Sequence, residues 1–126
     1  MITDDDMGDM LKELTNLINA KDRTKNKIKE WIGSYFGKII SWDFGKKSFH
    51  IVFMKDGSAK FGKGEYPASE TIILTDPETW VGVCSLKTDF RKASEQGKLW
   101  LRGNFHEMMK FQDICGKFIL KLAQKY

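Results

Sequence analysis

A chain of 126 residues, 41% apolar and 30% charged, has the size of one domain and the balance of a folded globule, which excludes a disordered low-complexity polypeptide. Its net charge of +4 is a patchwork: residues 1–20 carry Asp4, Asp5, Asp6, Asp9 and Glu13 against Lys12, whereas residues 21–30 carry five cations against Asp22 and Glu30. No apolar run nears the about 20 residues a bilayer crossing requires, and the start Met1-Ile2-Thr3-Asp4-Asp5-Asp6 lacks the basic and apolar regions of a secretory leader, so a non-secreted, cytoplasmic protein is expected.

Thr3 can cap a helix over residues 4–20, with three aspartates at the positive end of its dipole and Met7, Met10, Leu11, Leu14, Leu17 and Ile18 on one face. A polar stretch, Lys21 to Asn26, separates it from a second amphipathic helix on which Ile28, Trp31, Ile32, Tyr35 and Phe36 recur at helical spacing and which Gly37 ends. From Lys38 the apolar period becomes two. Ile40, Trp42 and Phe44 form one strand, Gly45-Lys46-Lys47 a turn, and Phe49, Ile51 and Phe53 its antiparallel partner. Asp56-Gly57 suits a primed turn into a third strand through Phe61, and the region of Gly62, Gly64 and Pro67 reads as a loop or sheet edge.

Thr71 to Thr75 is a short β-branched strand, and Thr75-Asp76-Pro77-Glu78 starts a helix with Trp80, Val83 and Cys84 on one face. Thr88 can cap a second short helix carrying Phe90 and Ala93, closed by Gly97; Lys98 to Arg102 is the last strand. In the final helix His106, Lys110, Asp113, Lys117, Lys121 and Gln124 make one polar stripe. Phe105, Met108, Met109, Phe111, Ile114, Cys115, Phe118, Ile119 and Leu122 make a wide apolar face. This order predicts an α+β fold, a mainly antiparallel five-stranded sheet covered by helices, with residues 1–126 as a single domain: helices in 1–36, sheet and helical cover in 37–126.

Catalytic and metal-binding signatures are sparse. Cys84 and Cys115 are far apart, outside any CxxC pattern and without a His-rich neighbourhood, so no zinc site, metal or other cofactor is indicated and reduced, buried thiols are expected. A nucleophilic cysteine with His50 or His106 as base would need a polar setting, whereas each Cys falls on an apolar helix face; the expectation is no enzyme. Glycine-rich phosphate loops are absent. Most aromatics fall on faces predicted to be buried, leaving few for base stacking, so no nucleic-acid partner is expected. The Lys21–Lys29 cluster suits a solvated helix face more than an anionic phospholipid or a CoA phosphate. Gly116, inside the final helix, costs about 1 kcal/mol relative to Ala and is read as close contact with a neighbouring element, the alternative being room left for a ligand.

Two segments, Glu70-Thr71-Ile72-Ile73-Leu74-Thr75-Asp76-Pro77-Glu78-Thr79-Trp80 and Gly97-Lys98-Leu99-Trp100-Leu101-Arg102-Gly103-Asn104, with Asp56-Gly57 before them and Ala93 between, make the chain resemble the sterol carrier protein type 2 domain family over residues 36–120. It departs from that pattern at Ser85-Leu86-Lys87, where the family often has a glycine turn. The resemblance implies a sterol-carrier-protein type 2 fold enclosing an apolar, hydrophobic tunnel, and lipid binding and lipid transport: a fatty acid, a fatty acyl-CoA or a sterol or isoprenoid as ligand. Transient membrane surface contact and a partner enzyme, to which a non-catalytic accessory domain presents its ligand, are the further partners implied. Trp80, Val83, Cys84, Phe90, Leu99, Leu101, Phe105, Met108, Met109 and Phe111 are the candidate lining residues.

Overall fold

A computed structural model describes residues Met1–Tyr126. Helix α1 (Asp4–Asn19) begins at a capping box: Thr3 Oγ1 accepts from the Asp6 N–H at 3.1 Å while the Asp6 carboxylate accepts from the Thr3 N–H at 2.9 Å. Helix α2 (Asp22–Ile32) departs from the pattern-based boundaries at both ends. Its core stripe is Thr24, Ile28 and Ile32 at a spacing of four, which draws the supposed linker into the helix, and Gly33 with φ +59° ends it early. Tyr35 and Phe36 therefore leave the helix and stand in solvent, Phe36 at 94% exposure.

Strands β1 (Gly37–Asp43), β2 (Ser48–Met54) and β3 (Ala59–Lys63) form the expected meander. The second turn is a three-residue loop and not a primed turn, because only Gly57 has positive φ; Met54 N–H donates to the Ser58 carbonyl at 2.8 Å, and the Asp56 carboxylate accepts from the Ser58 N–H at 2.9 Å. Gly57 has a second reason to be glycine: a Cβ there would lie 2.3 Å from the Lys25 carbonyl oxygen of α2. Strand β4 (Thr71–Thr75) precedes α3 (Pro77–Cys84), whose cap is Asp76, with Pro77 in the first turn. The short α4 (Phe90–Glu95) starts after Asp89, one residue beyond the expected Thr88, and β5 (Leu99–Arg102) leads into α5 (Phe105–Ala123), capped by Asn104.

The five strands lie in the order β3-β2-β1-β4-β5, with β1 and β4 parallel and every other pairing antiparallel. The mixed, mostly antiparallel sheet and five helices give the α+β arrangement read from the sequence. Ile40 and Trp42 of β1 stand opposite Ile51 and Phe49 of β2, and Trp42 opposite Ile73 of β4, so one face of the sheet carries the bulky side chains. With Met7, Leu11, Leu14 and Ile18 of α1, Ile28 and Ile32 of α2 and Phe111, Cys115 and Ile119 of α5, they belong to one 26-residue core. The opposite face is partly covered by the β3–β4 loop, where the Tyr66 N–H donates to Ser41 Oγ at 3.2 Å.

Candidate functional site

Between α3, α4 and the first two turns of α5 lies an open cavity of about 310 Å³, eight of whose eleven lining residues are hydrophobic. Helical spacing sets its walls. Trp80, Val83 and Cys84 come from one face of α3, held in place by the Asp76 cap. Phe105, Met108, Met109 and Gln112 follow one another at i, i+3, i+4 and i+7 on α5. Phe90, opening α4, faces Phe105 with ring centroids 5.8 Å apart at 57°. Leu86, Thr88 and Asp89 of the α3–α4 connection complete the rim.

Seven of the ten candidate residues thus stand around one cavity: Trp80, Val83, Cys84, Phe90, Phe105, Met108 and Met109. The other three do not line it. Phe111 is fully buried between Trp42 and Phe53, at centroid distances of 5.7 and 5.8 Å. Leu99 is fully buried in the core, and Leu101 is half-buried against it opposite Ile73. The wide apolar face of α5 is two stripes. Phe111, Cys115, Ile119 and Leu122 enter the core, Met108 stands between core and cavity, and Phe105 and Met109 turn toward the cavity beside the polar Gln112. Sequence reasoning missed Leu86, Thr88, Asp89 and Gln112 as lining residues; for Gln112 the signal was present, three and four residues after Met109 and Met108.

The floor is aromatic. Trp80 is only 3% exposed and meets Trp42 edge-on at 6.0 Å, and neither indole N–H has an acceptor among protein groups. Burial pushes the Cys84 thiol well above its ordinary pKa and that of Cys115 up to about 12, so neither carries a thiolate near neutrality. His50 sits elsewhere, its Nδ1 2.8 Å from the Gly64 carbonyl oxygen.

A second cleft, of about 300 Å³, is polar: Lys38 pairs with Glu107, which also accepts from Trp31 Nε1 at 3.0 Å, and the Lys38 ammonium lies 5.0 Å from the Trp31 ring centroid. An apolar molecule gains little there, because entry would desolvate that ion pair.

The model of the SCP-2 sterol transfer family matches residues 11–116. The chain belongs to that family. Membership carries lipid binding as its general function. No curated protein matches the chain. Among solved structures, the sterol carrier protein 2 of Yarrowia lipolytica in its apo form is 21% identical with a TM-score of 0.57, over 95% of this chain and 91% of that one. A UbiJ-SCP2 ubiquinone synthesis protein is 11% identical with a TM-score of 0.62, over 91% and 88%. The stereoselective inverting sec-alkylsulfatase Pisa1 from Pseudomonas sp. is 17% identical with a TM-score of 0.61 over 72% of this chain. The match spans 14% of the sulfatase's length. At these identities the likeness is one of fold. No helix of the chain is long and apolar enough to cross a membrane.

Proposed function

We propose that this SCP-2 family chain holds the hydrocarbon portion of a lipid, a fatty acyl or isoprenoid chain, in the cavity between α3, α4 and α5, without catalysing a reaction on it. The observation that carries this reading is the wall itself: Trp80, Val83, Phe90, Phe105, Met108 and Met109 meet around one opening of about 310 Å³. Each methylene moved from water into such a wall gains about 0.8 kcal/mol, so a chain binds without a polar anchor. Met108 and Met109 add side chains that reshape around irregular ligands. Two buried thiols of raised pKa support the non-catalytic part.

Native mass spectrometry before and after organic extraction, followed by titration with a fluorescent long-chain fatty acid, tests the reading. A stoichiometric extracted lipid or saturable uptake is expected. A protein that carries nothing and takes up neither fatty acid, acyl-CoA nor sterol would refute it.

A second reading, a domain that presents its ligand to a partner enzyme, draws on the sulfatase, in which the matching fold is a small part of a larger chain, and on the ubiquinone synthesis protein. Copurification of a stoichiometric enzyme, together with no transfer of lipid between vesicles by the isolated chain, would favour it over a free carrier.

A further inference from the structure

The indole N–H groups of the four tryptophans meet three different surroundings. Trp31 Nε1 donates to Glu107 at 3.0 Å, and Trp100 opens to solvent. Trp42 and Trp80 are buried, and neither N–H has an acceptor among protein groups. A buried tryptophan usually gives its N–H a partner, because a donor taken out of water and left unpaired costs free energy. The two rings meet edge-on at 6.0 Å and 68°, and a ring face is a weak substitute for an oxygen. Of the pair only Trp80 lines the cavity between α3, α4 and α5; Trp42 stands behind it, against Phe111. Phenylalanine would give an equally apolar floor without the unpaired donor. The remaining lining restricts which oxygen can arrive. No lysine, arginine or histidine lines the cavity, Asp89 is its one charged residue, and Thr88 and Gln112 are its other polar ones. An anionic group carried to the floor would be buried without a counter-charge, whereas a neutral carbonyl or hydroxyl oxygen would not.

We infer that the Trp80 indole N–H determines which lipid the cavity prefers: the hydrocarbon carries a neutral acceptor, a ketone or hydroxyl oxygen, that enters with the chain and accepts from Trp80 Nε1. The inference rests on the cavity taking a hydrocarbon chain, and it narrows the ligand from lipids at large to fatty alcohols, ketones and other oxygenated neutral lipids. A free fatty acid still binds through its chain, with the carboxylate left in water at the mouth.

The test uses a methyl ketone, a primary alcohol and an alkane of about ten carbons each, the length that the cavity volume holds. In proton–nitrogen correlation spectra of the whole labelled chain, Trp80→Phe identifies the Trp80 indole peak by its loss. The ketone and the alcohol should move that proton downfield, as hydrogen bonding does, and the alkane should not. In displacement of a fluorescent fatty acid, Trp80→Phe should weaken the ketone and the alcohol roughly tenfold more than it weakens the alkane, the contribution of one hydrogen bond from a donor otherwise buried unpaired. Comparing the losses removes the change in wall area, which all three ligands share. Where the variant is unstable, sequential assignment of wild type identifies the peak and its spectrum alone decides. Equal shifts with ketone and alkane, or equal losses for all three ligands, overturn the inference while the lipid-holding reading stands; the indole is then plain wall, its donor met by water or by a ring face. Displacement by none of the three, with no uptake of the fluorescent acid, sinks the lipid-holding reading and this inference with it.

Discussion

Chain length is the most direct probe of the cavity. At about 30 Å³ per water-sized group, 310 Å³ accommodates about ten methylene-sized groups. Each adds about 0.8 kcal/mol, close to fourfold in affinity. Across saturated fatty acids from about six to about twelve carbons the gain should total about 5 kcal/mol, over a thousandfold, and then level off as further carbons emerge into water. Displacement of a fluorescent fatty acid reads the series on one scale. Val83→Phe supplies the matching perturbation, because Val83 is half-buried on the cavity wall outside the fully buried core. It adds four carbon atoms to the wall, so the plateau should arrive up to about four carbons earlier while short acids keep their affinity. A flat series would refute the hydrocarbon-site reasoning. An unbroken rise to about sixteen carbons would refute the volume argument and mean that the site opens further, past Trp80 toward Trp42.

Gly116→Ala should stabilise the fold by about 1 kcal/mol, raising the thermal midpoint by about 3 to 5 °C, because a Cβ there meets only the Gln112 side chain at 3.2 Å; an unchanged or lower midpoint in a calorimetric scan would count against this. Glu107→Ala strands both the Lys38 ammonium and the Trp31 indole N–H, and should cost about 2 kcal/mol in urea unfolding, whereas Glu107→Gln keeps an acceptor and should cost less. Cys84 and Cys115 should resist alkylation at pH 8 in the native state and react once the chain is unfolded, since burial raises both thiol pKa values and keeps them protonated there. Rapid native labelling of either would reopen a chemical role for the thiols.

The elements with strong periodicity were legible in the sequence: α1 with its Thr3 cap, the meander, and α5 all follow from apolar spacing and turn residues. What escaped was decided by longer-range contacts. Lys21 to Asn26 looks like a linker by polarity, but Thr24 completes a stripe with Ile28 and Ile32 that only core burial selects. Gly116 suggested a close neighbour, but the side chain nearest its hypothetical Cβ is Gln112 of its own helix. At the cavity, Phe111 and Met109 are both large and apolar and fall on one broad face of α5. Whether each enters the core or the cavity depends on where α3 and α4 sit across from α5, which no local pattern records.

That placement also accounts for why there is an opening at all. At 1.5 Å per residue, α5 runs about 28 Å while α3 and α4 reach only about 12 and 9 Å. On the side that faces the sheet, α1 and α2, its core stripe closes along its whole length, Phe111 of the second turn meeting Trp42 and Phe53. On the opposite side of its first two turns the neighbours are short helices joined by a loop, with Ala93 the one fully buried side chain of α4. Apolar residues on that side, unlike Met108 and Phe111 of the same two turns, lack a protein surface of matching length to bury against, which is why Phe105 and Met109 stay half open to solvent. The same mismatch that weakens the core at this end leaves a wall that a hydrocarbon chain can complete. Ligand affinity and local instability of the empty form therefore have a common origin, and a ligand that fills the cavity should protect the amides of α3 and of the first turns of α5 from hydrogen exchange before it protects those of α1.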